Sequence, residues 1–175
     1  MAANANFYSP TQAATGCVLQ APWFGDLLEP MRSLVLETAF ERTVRVGECI
    51  AHAGEPSVHW FGVVHGLLHF SMSDIDGNET TLHCVRESEW GGEGSLLKRE
   101  ARRYDVVAVA PSRVCFIPAD TFHTLHREVV SFNHFLLTNL NERMSVVVGL
   151  LAAERLCSPE LRVAKCLLML VERRA

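Results

Sequence analysis

The sequence predicts an α+β protein in which an antiparallel β unit comes first and helices follow it. Short apolar runs of strand length, separated by turn glycines, fill residues 43–117. The dipeptide Asp76-Gly77 lies between two of these runs and is a strong signal for a β-hairpin. From residue 118 onward the apolar spacing becomes helical. Short, closely spaced strands are typical of an antiparallel barrel, sandwich or roll.

Helical spacing of apolar residues also precedes the β unit. Between Pro22 and Phe40 such residues recur at intervals of three or four, and Pro30 fits the first position of a helix. The preceding residues, 1–21, are small and polar and show no period. We expect them to form a mobile N-terminal arm.

Three helices are expected after the β unit. Pro118-Ala119-Asp120 predicts a short helix through Leu125, and Ser131 is a candidate N-cap for a long helix to about Arg155. Ser158-Pro159-Glu160 combines an N-cap, a proline at the first position and an early acid. All three features favour the start of a further helix.

The long helix carries an apolar stripe at intervals of four, four, three and four residues, formed by Leu136, Leu140, Met144, Val147 and Leu151. Most stripes of this kind pack inside their own chain. Here the helix is also apolar beside the stripe, at Val146, Val148 and Leu150. A long helix after a compact β unit needs a second partner, and a twofold mate is the simplest one. We therefore expect a homodimer through this helix.

Composition argues against two kinds of partner. The formal net charge is −4, which is unlike a strongly basic nucleic-acid surface. The longest apolar run, residues 146–153, is far too short to cross a bilayer, and the start lacks the regions of a secretory signal. We expect a cytoplasmic protein without a membrane partner.

Catalytic and metal-binding patterns are weak. The six cysteines form no Cys-x-x-Cys pair and the eight histidines no His-x-His pair, so no metal centre is predicted. Gly94-Ser95-Leu96 lacks the closing glycine of a nucleophile elbow. Lys98 is followed by Arg99 and not by the serine or threonine of a phosphate-binding P-loop. These patterns do not favour an enzyme.

The chemistry concentrates in residues 90–105, where glycines at 91, 92 and 94 flank Glu93 and a basic cluster ends in Arg102-Arg103. Glycines let backbone N–H groups approach an anion, and an arginine supplies a bidentate fork for phosphate or carboxylate. Glu93 can accept hydrogen bonds from hydroxyl groups. The stretch therefore predicts a pocket for a small anionic ligand. The alternative is a glycine turn followed by solvated charges.

The order of these elements resembles the Crp/Fnr superfamily of bacterial transcription regulators, whose sensor is a cyclic-nucleotide-binding-like β-roll, or double-stranded β-helix. The resemblance covers about residues 22–172. Its motifs are Arg45-Val46-Gly47-Glu48, Ala53-Gly54-Glu55, Val64-His65-Gly66, Asp76-Gly77, Gly92-Glu93-Gly94-Ser95-Leu96-Leu97, Arg102 ten residues after Gly92, Val106-Val107-Ala108-Val109 and Arg113-Val114-Cys115-Phe116-Ile117.

The resemblance implies roles for single residues. Glu93 would accept from a ribose hydroxyl and Arg102 would pair with a cyclic phosphate, within a ligand-binding set of Gly92, Glu93, Gly94, Ser95, Arg102 and Arg103. The family has a small apolar residue where Gly94 stands, a hydroxyl residue at Arg103 and a small residue at Tyr104. These departures predict an anionic effector other than cyclic AMP, or none. Arg103 would either serve a larger or doubly charged anion or fill the pocket.

The resemblance also implies a domain plan. After the arm, residues 22–130 would form the sensor, 131–156 the dimerisation helix, and 157–175 the first helix of a winged-helix DNA-binding domain that is otherwise absent. The chain would then be the effector-sensing and dimerisation half of a regulator, with DNA a partner only of a longer chain. The alternatives are a stand-alone ligand-binding protein that lost its DNA head and, third, a cupin-like metal enzyme.

Overall fold

The computed structural model describes residues 11–13, 15–73, 75–161 and 163–164. They form two compact units that divide after Phe132. The first unit holds both β-sheets and four helices, and the second is helical. The predicted α+β class and β-roll are confirmed, as is the long helix that follows the roll.

Nine strands in the described residues form two antiparallel sheets. The first sheet, in the order β1-β2-β9-β4-β7, consists of β1 (Thr11–Ala13), β2 (Phe40–Val44), β4 (His59–His65), β7 (Trp90–Gly91) and β9 (Ser112–Pro118). The second, in the order β3-β8-β5-β6, consists of β3 (Cys49–Ala51), β5 (Leu67–Ser73), β6 (Glu79–Arg86) and β8 (Asp105–Ala108). The hairpin predicted at Asp76-Gly77 joins β5 to β6 and is confirmed.

The core of the roll contains residues from both sheets. Its buried members are Val44, Ala51, Phe61, Val63, Leu68, Val85, Val106, Ala108, Val114 and Phe116. Burying each of the larger side chains contributes roughly 1.5–3 kcal/mol, so this cluster is a main source of the roll's stability.

A second, aromatic cluster lies across β4 from the roll core, because neighbouring strand residues point to opposite faces. Phe61 belongs to the roll core, whereas Trp60 belongs to the cluster of Trp23, Trp60, Trp90, Phe122 and Phe132. The Trp60 and Trp90 rings are 4.3 Å apart between centroids. A Cβ atom at Gly62 would lie 2.8 Å from the Trp90 ring, so only glycine fits beside it.

The described helices are α1 (Thr15–Gln20), α2 (Met31–Thr38), α3 (Glu93–Lys98), α4 (Ala119–Glu128) and α5 (Val130–Leu156). The helices expected after Pro30 and Pro118 are confirmed as α2 and α4. Helix α5 begins one residue before Ser131, which therefore lies inside the helix. None of the helices in the described part is long and apolar enough to span a membrane.

The predicted mobile arm, 1–21, is wrong for the residues of β1 and α1. Strand β1 pairs with β2, and the α1 side chain of Val18 is fully buried. One buried apolar residue and a strand pairing are enough to dock a short segment whose composition shows no period. The part of the predicted arm at 1–10 lies outside the described residues.

The C-terminal region is described as far as Ala164. After α5, residues 159–161 and 163–164 are helical, and the Ser158 hydroxyl accepts a hydrogen bond from the Leu161 N–H at 3.4 Å. The N-cap predicted at Ser158 is thus confirmed. The rest of the helix assigned to a DNA-binding domain, through residue 175, lies outside the described residues.

Candidate ligand-binding site

The glycine-rich stretch forms a turn between β7 and α3. Gly92 caps α3 with φ +89°, in the left-handed region. A Cβ atom there would lie 2.7 Å from Phe61 Cε1 and 3.2 Å from Arg102 Nη1. Both the backbone angle and the crowding require glycine. Gly92, Phe61 and Arg102 therefore form one tightly packed contact.

Arg102 is the buried cation of this site. It is only 8% exposed, and its Nη2 donates a hydrogen bond of 2.7 Å to the His59 carbonyl. Its guanidinium carbon lies 5.9 Å from the centroid of the Phe61 ring, within range of a cation–π contact. Within the described part of the chain Arg102 has no ion-pair partner. Burial is the main cause that lowers its pKa from the ordinary value, with the nearby Glu55 acting in the opposite direction.

The backbone of Arg102 is also held by hydrogen bonds. Its N–H donates to the Glu55 carbonyl at 2.8 Å, and its own carbonyl accepts from the Gly54 N–H at 2.7 Å. The loop between β3 and β4 thus holds the arginine from one side, while His59 on β4 holds it from the other.

Glu93 begins α3 directly after Gly92. The residue is half-buried, and its Oε2 atom is inaccessible to solvent. An acid in the first helical turn is favoured by the backbone N–H groups there. Glu93 therefore stands directly after the glycine that contacts Arg102.

Gly94 and Ser95 follow Glu93 in α3. Gly94 is exposed, and nothing lies within 4 Å of a Cβ atom built there. Ser95 lines a cavity of about 330 Å³, and Arg102 is not among its lining residues. The other residues around this cavity are Gly54, Pro56, Ser57, Leu96, Arg99, Glu100, Ala101 and His123. Two of these residues adjoin Arg102: Ala101 precedes it in sequence, and the Gly54 N–H donates to its carbonyl.

Arg103 is directed to the surface. Its side chain is 60% exposed, and Nε and Nη2 donate to the two Glu100 carboxylate oxygens at 2.9 and 3.1 Å. It does not fill the pocket, which was one of the two roles expected for it. Its neighbour Tyr104 turns towards the roll and contacts the Phe70 ring edge-on, with 6.1 Å between centroids.

Sequence reasoning missed the two β4 residues that surround Arg102. His59 accepts its hydrogen bond through a backbone oxygen, which no side-chain pattern reveals. Phe61 was detectable in principle, because alternation along the strand places it on the face opposite Trp60. Its contact with the glycine turn depends on the pairing of β4 with β7.

The family model for the cyclic nucleotide-binding domain matches residues 41–128, which are half of the chain and include the whole glycine turn and Arg102. The chain belongs to this family. No curated protein matches the sequence.

Several solved structures of transcription regulators share the fold. A protein from Eubacterium rectale assigned to the Crp/Fnr family of transcriptional regulators has a TM-score of 0.75 at 18% identity, over 87% of this chain and 72% of its own. The catabolite activator protein of Thermus thermophilus has a TM-score of 0.61 at 25% identity, over 77% of this chain and 64% of its own. The sensor domain of the transcriptional regulator DNR from Pseudomonas aeruginosa has a TM-score of 0.65 at 15% identity, over 77% and 91%. The resemblance to Crp/Fnr regulators is thereby confirmed.

Proposed function

We propose that this chain is the effector-sensing and dimerisation part of a Crp/Fnr-type transcription regulator. A small anionic effector binds at Arg102 and Glu93, and α5 passes the binding state to a DNA-binding domain carried by a longer chain. The protein acts in the cytoplasm by binding and not by turnover. The family match and the Thermus relative support this assignment.

The observation that carries the proposal is the buried Arg102. Taking a charge out of water costs several kcal/mol unless a partner compensates for it. Here the guanidinium is 8% exposed and its hydrogen bond goes to a neutral carbonyl. A phosphate or carboxylate would supply charge-assisted hydrogen bonds, which are about twice as strong as neutral ones. An anionic effector therefore stabilises this arrangement.

The neighbours of Arg102 constrain the effector. Phe61 lies against both Gly92 and the guanidinium, which leaves little room beside the cation. Glu93 adds an acceptor for a hydroxyl group on the same molecule. We infer a compact effector that carries an anionic group and a hydroxyl, and we expect cyclic AMP to bind more weakly than this effector.

Calorimetric titration tests the role of Arg102, after a thermal-shift screen of cyclic nucleotides and sugar phosphates. Hydrogen bonds to charged groups contribute about 1.5–3 kcal/mol. Arg102→Ala should therefore weaken binding of the best anion by about 10- to 100-fold. Arg103→Ala is the matched control, because that arginine is exposed and already paired with Glu100, and its effect should be small.

Two results would contradict the proposal. Equal affinities for the Arg102→Ala and Arg103→Ala variants would remove the role of Arg102. Micromolar binding of cyclic AMP, abolished by Arg102→Ala, would instead show that the departures at Gly94, Arg103 and Tyr104 do not exclude that nucleotide.

A further inference from the structure

Three side chains outside the glycine turn bring different metal-ligating atoms together. The Cys49 sulfur, a ring nitrogen of His52 and a carboxylate oxygen of Asp105 all lie within 4.8 Å of one another. We propose that these three residues form a binding site for a divalent transition-metal ion of the zinc type. None of these three residues belongs to the proposed effector site.

Strand pairing creates this cluster. Strands β3 and β8 pair antiparallel, with Cys49 opposite Val107 and Ala51 opposite Val106. The register shifts between Cys49 and Ala51, so one strand has an irregularity there. Because Ala51 stands opposite Val106, the first residue of β8, Asp105, lies beside the end of β3, where His52 follows.

The distances suit tetrahedral coordination better than a hydrogen bond. His52 Nδ1 and Asp105 Oδ1 are 3.6 Å apart, beyond the usual limit for a hydrogen bond. Two ligands at about 2.1 Å from a tetrahedral zinc ion are separated by roughly 3.4 Å. The nitrogen–oxygen distance is thus already close to that of a zinc site. The Cys49 sulfur lies within 4.8 Å of both ligand atoms.

Asp105 is also held in a way typical of metal ligands. Its Oδ1 atom accepts a hydrogen bond of 2.8 Å from the Ala53 N–H. Such outer contacts fix the orientation of a ligating carboxylate. The Cys49 thiol is free of any disulfide and donates to the Ala51 carbonyl at 3.1 Å. On coordination it would lose its proton to solvent and bind as a thiolate.

The donor set selects the metal class. A thiolate and an imidazole favour zinc and related ions over magnesium or calcium, which prefer oxygen ligands. Three protein ligands leave a fourth position for water. Solvent reaches the site, since the His52 side chain is 58% exposed and that of Asp105 32%. The ion therefore has both an entry path and an open coordination position.

Chelator-treated protein titrated with Co²⁺ tests the proposal, because a cobalt–thiolate bond gives a near-ultraviolet charge-transfer band. We expect one equivalent to produce the band and Zn²⁺ to displace it. Cys49→Ala should abolish the band. His52→Ala and Asp105→Asn should each weaken zinc binding by at least about 10- to 100-fold, because the loss of a residue that only hydrogen-bonds to a metal ligand already has an effect of this size. Asp105→Asn keeps an acceptor for the Ala53 N–H, so the loop should stay folded.

Cys84→Ala and His65→Ala are the matched controls, since Cys84 is another half-buried strand cysteine and His65 another exposed histidine. Both should bind metal like the unaltered chain. Absence of the band in the unaltered chain, its persistence in Cys49→Ala, or an equal loss in Cys84→Ala would each overturn the proposal.

Discussion

The Phe61 ring and the Arg102 guanidinium both pack closely against Gly92. The position a Cβ would take there is 2.7 Å from Phe61 Cε1 and 3.2 Å from Arg102 Nη1. Real Cβ atoms do not approach ring carbons so closely, and β-carbons also disfavour the left-handed backbone of this residue. Because residue 92 is glycine and has no Cβ, the Phe61 ring and the Arg102 guanidinium can both pack against this turn.

Gly92→Ala should destabilise the protein by about 1–3 kcal/mol, because the substitution strains the backbone and displaces the Phe61 ring. Gly94→Ala is the matched control, since its Cβ would meet nothing within 4 Å and its backbone is helical. There alanine should be neutral or slightly stabilising. Urea denaturation of both variants gives the comparison, and equal free energies of unfolding would contradict the crowding at Gly92.

His59 should make stability depend on pH. Burial, followed by the positive charges of Arg102 and Arg42, lowers the pKa of His59 below its ordinary 6.5. In the unfolded chain His59 therefore binds a proton near pH 6.5, whereas in the folded protein it binds one only at a lower pH. The free energy of unfolding should fall as the pH drops from 6.5 towards the folded pKa, by at most about 1.4 kcal/mol per pH unit from this group.

Urea unfolding at several pH values between about 7.5 and 5 measures this loss of stability. The His59→Gln variant should lose less stability over that range, while Arg102 keeps its acceptor because the contact is to a backbone oxygen. Part of the dependence should remain, since burial also lowers the pKa of His123. An unchanged slope in His59→Gln would show that this imidazole does not resist protonation.

Among the elements, those with a local signal could be predicted and those that depend on pairing could not. The Asp76-Gly77 dipeptide predicts its hairpin because glycine adopts the left-handed backbone of such turns without strain, here at φ +82°. Strand β1 has three residues and owes its conformation to β2. Helix α1 likewise packs against the protein through the buried Val18, and the apolar residues of this segment show no helical period that would predict it.

In the candidate site, too, the sequence predicts some features and not those that depend on tertiary contacts. Glu93 and Arg102 follow from spacing and resemblance. Spacing does not show that Ser95 lines the cavity beside α3 or that Arg103 is exposed and bonded to Glu100. The cluster of Cys49, His52 and Asp105 has no signal in the sequence, because Asp105 follows Cys49 by 56 positions and the pairing of β3 with β8 brings them together.

On the scale of the whole molecule, α5 presents an apolar surface to solvent. Four members of the predicted stripe are exposed: Leu140 by 52%, Met144 by 56%, Val147 by 56% and Leu151 by 46%. Leu136, the first member, is only 7% exposed and is already buried within the single chain. The dimer contact we propose therefore begins beyond it, and Leu137 and Val148 extend the exposed area.

Met144→Glu should convert the expected dimer to a monomer in sedimentation-velocity experiments. Burial of a methionine contributes about 1.5–3 kcal/mol, and twofold symmetry counts it twice, so the dissociation constant should rise at least about 100-fold. Leu82→Glu is the control, because Leu82 is 44% exposed on β6 and is not part of the helix. A monomeric unaltered chain, or equal dissociation by both variants, would contradict the interface.

The two backbone hydrogen bonds of Arg102 have a consequence for affinity. Ordering a long side chain on binding costs about 0.5–1.5 kcal/mol of conformational entropy. Gly54, Glu55 and the His59 carbonyl already restrict the backbone and the guanidinium before any ligand arrives. Arg102 is therefore preorganised for an anion. An anion that makes the same hydrogen bonds to an arginine on a mobile loop should bind more weakly, because that side chain would lose more conformational entropy.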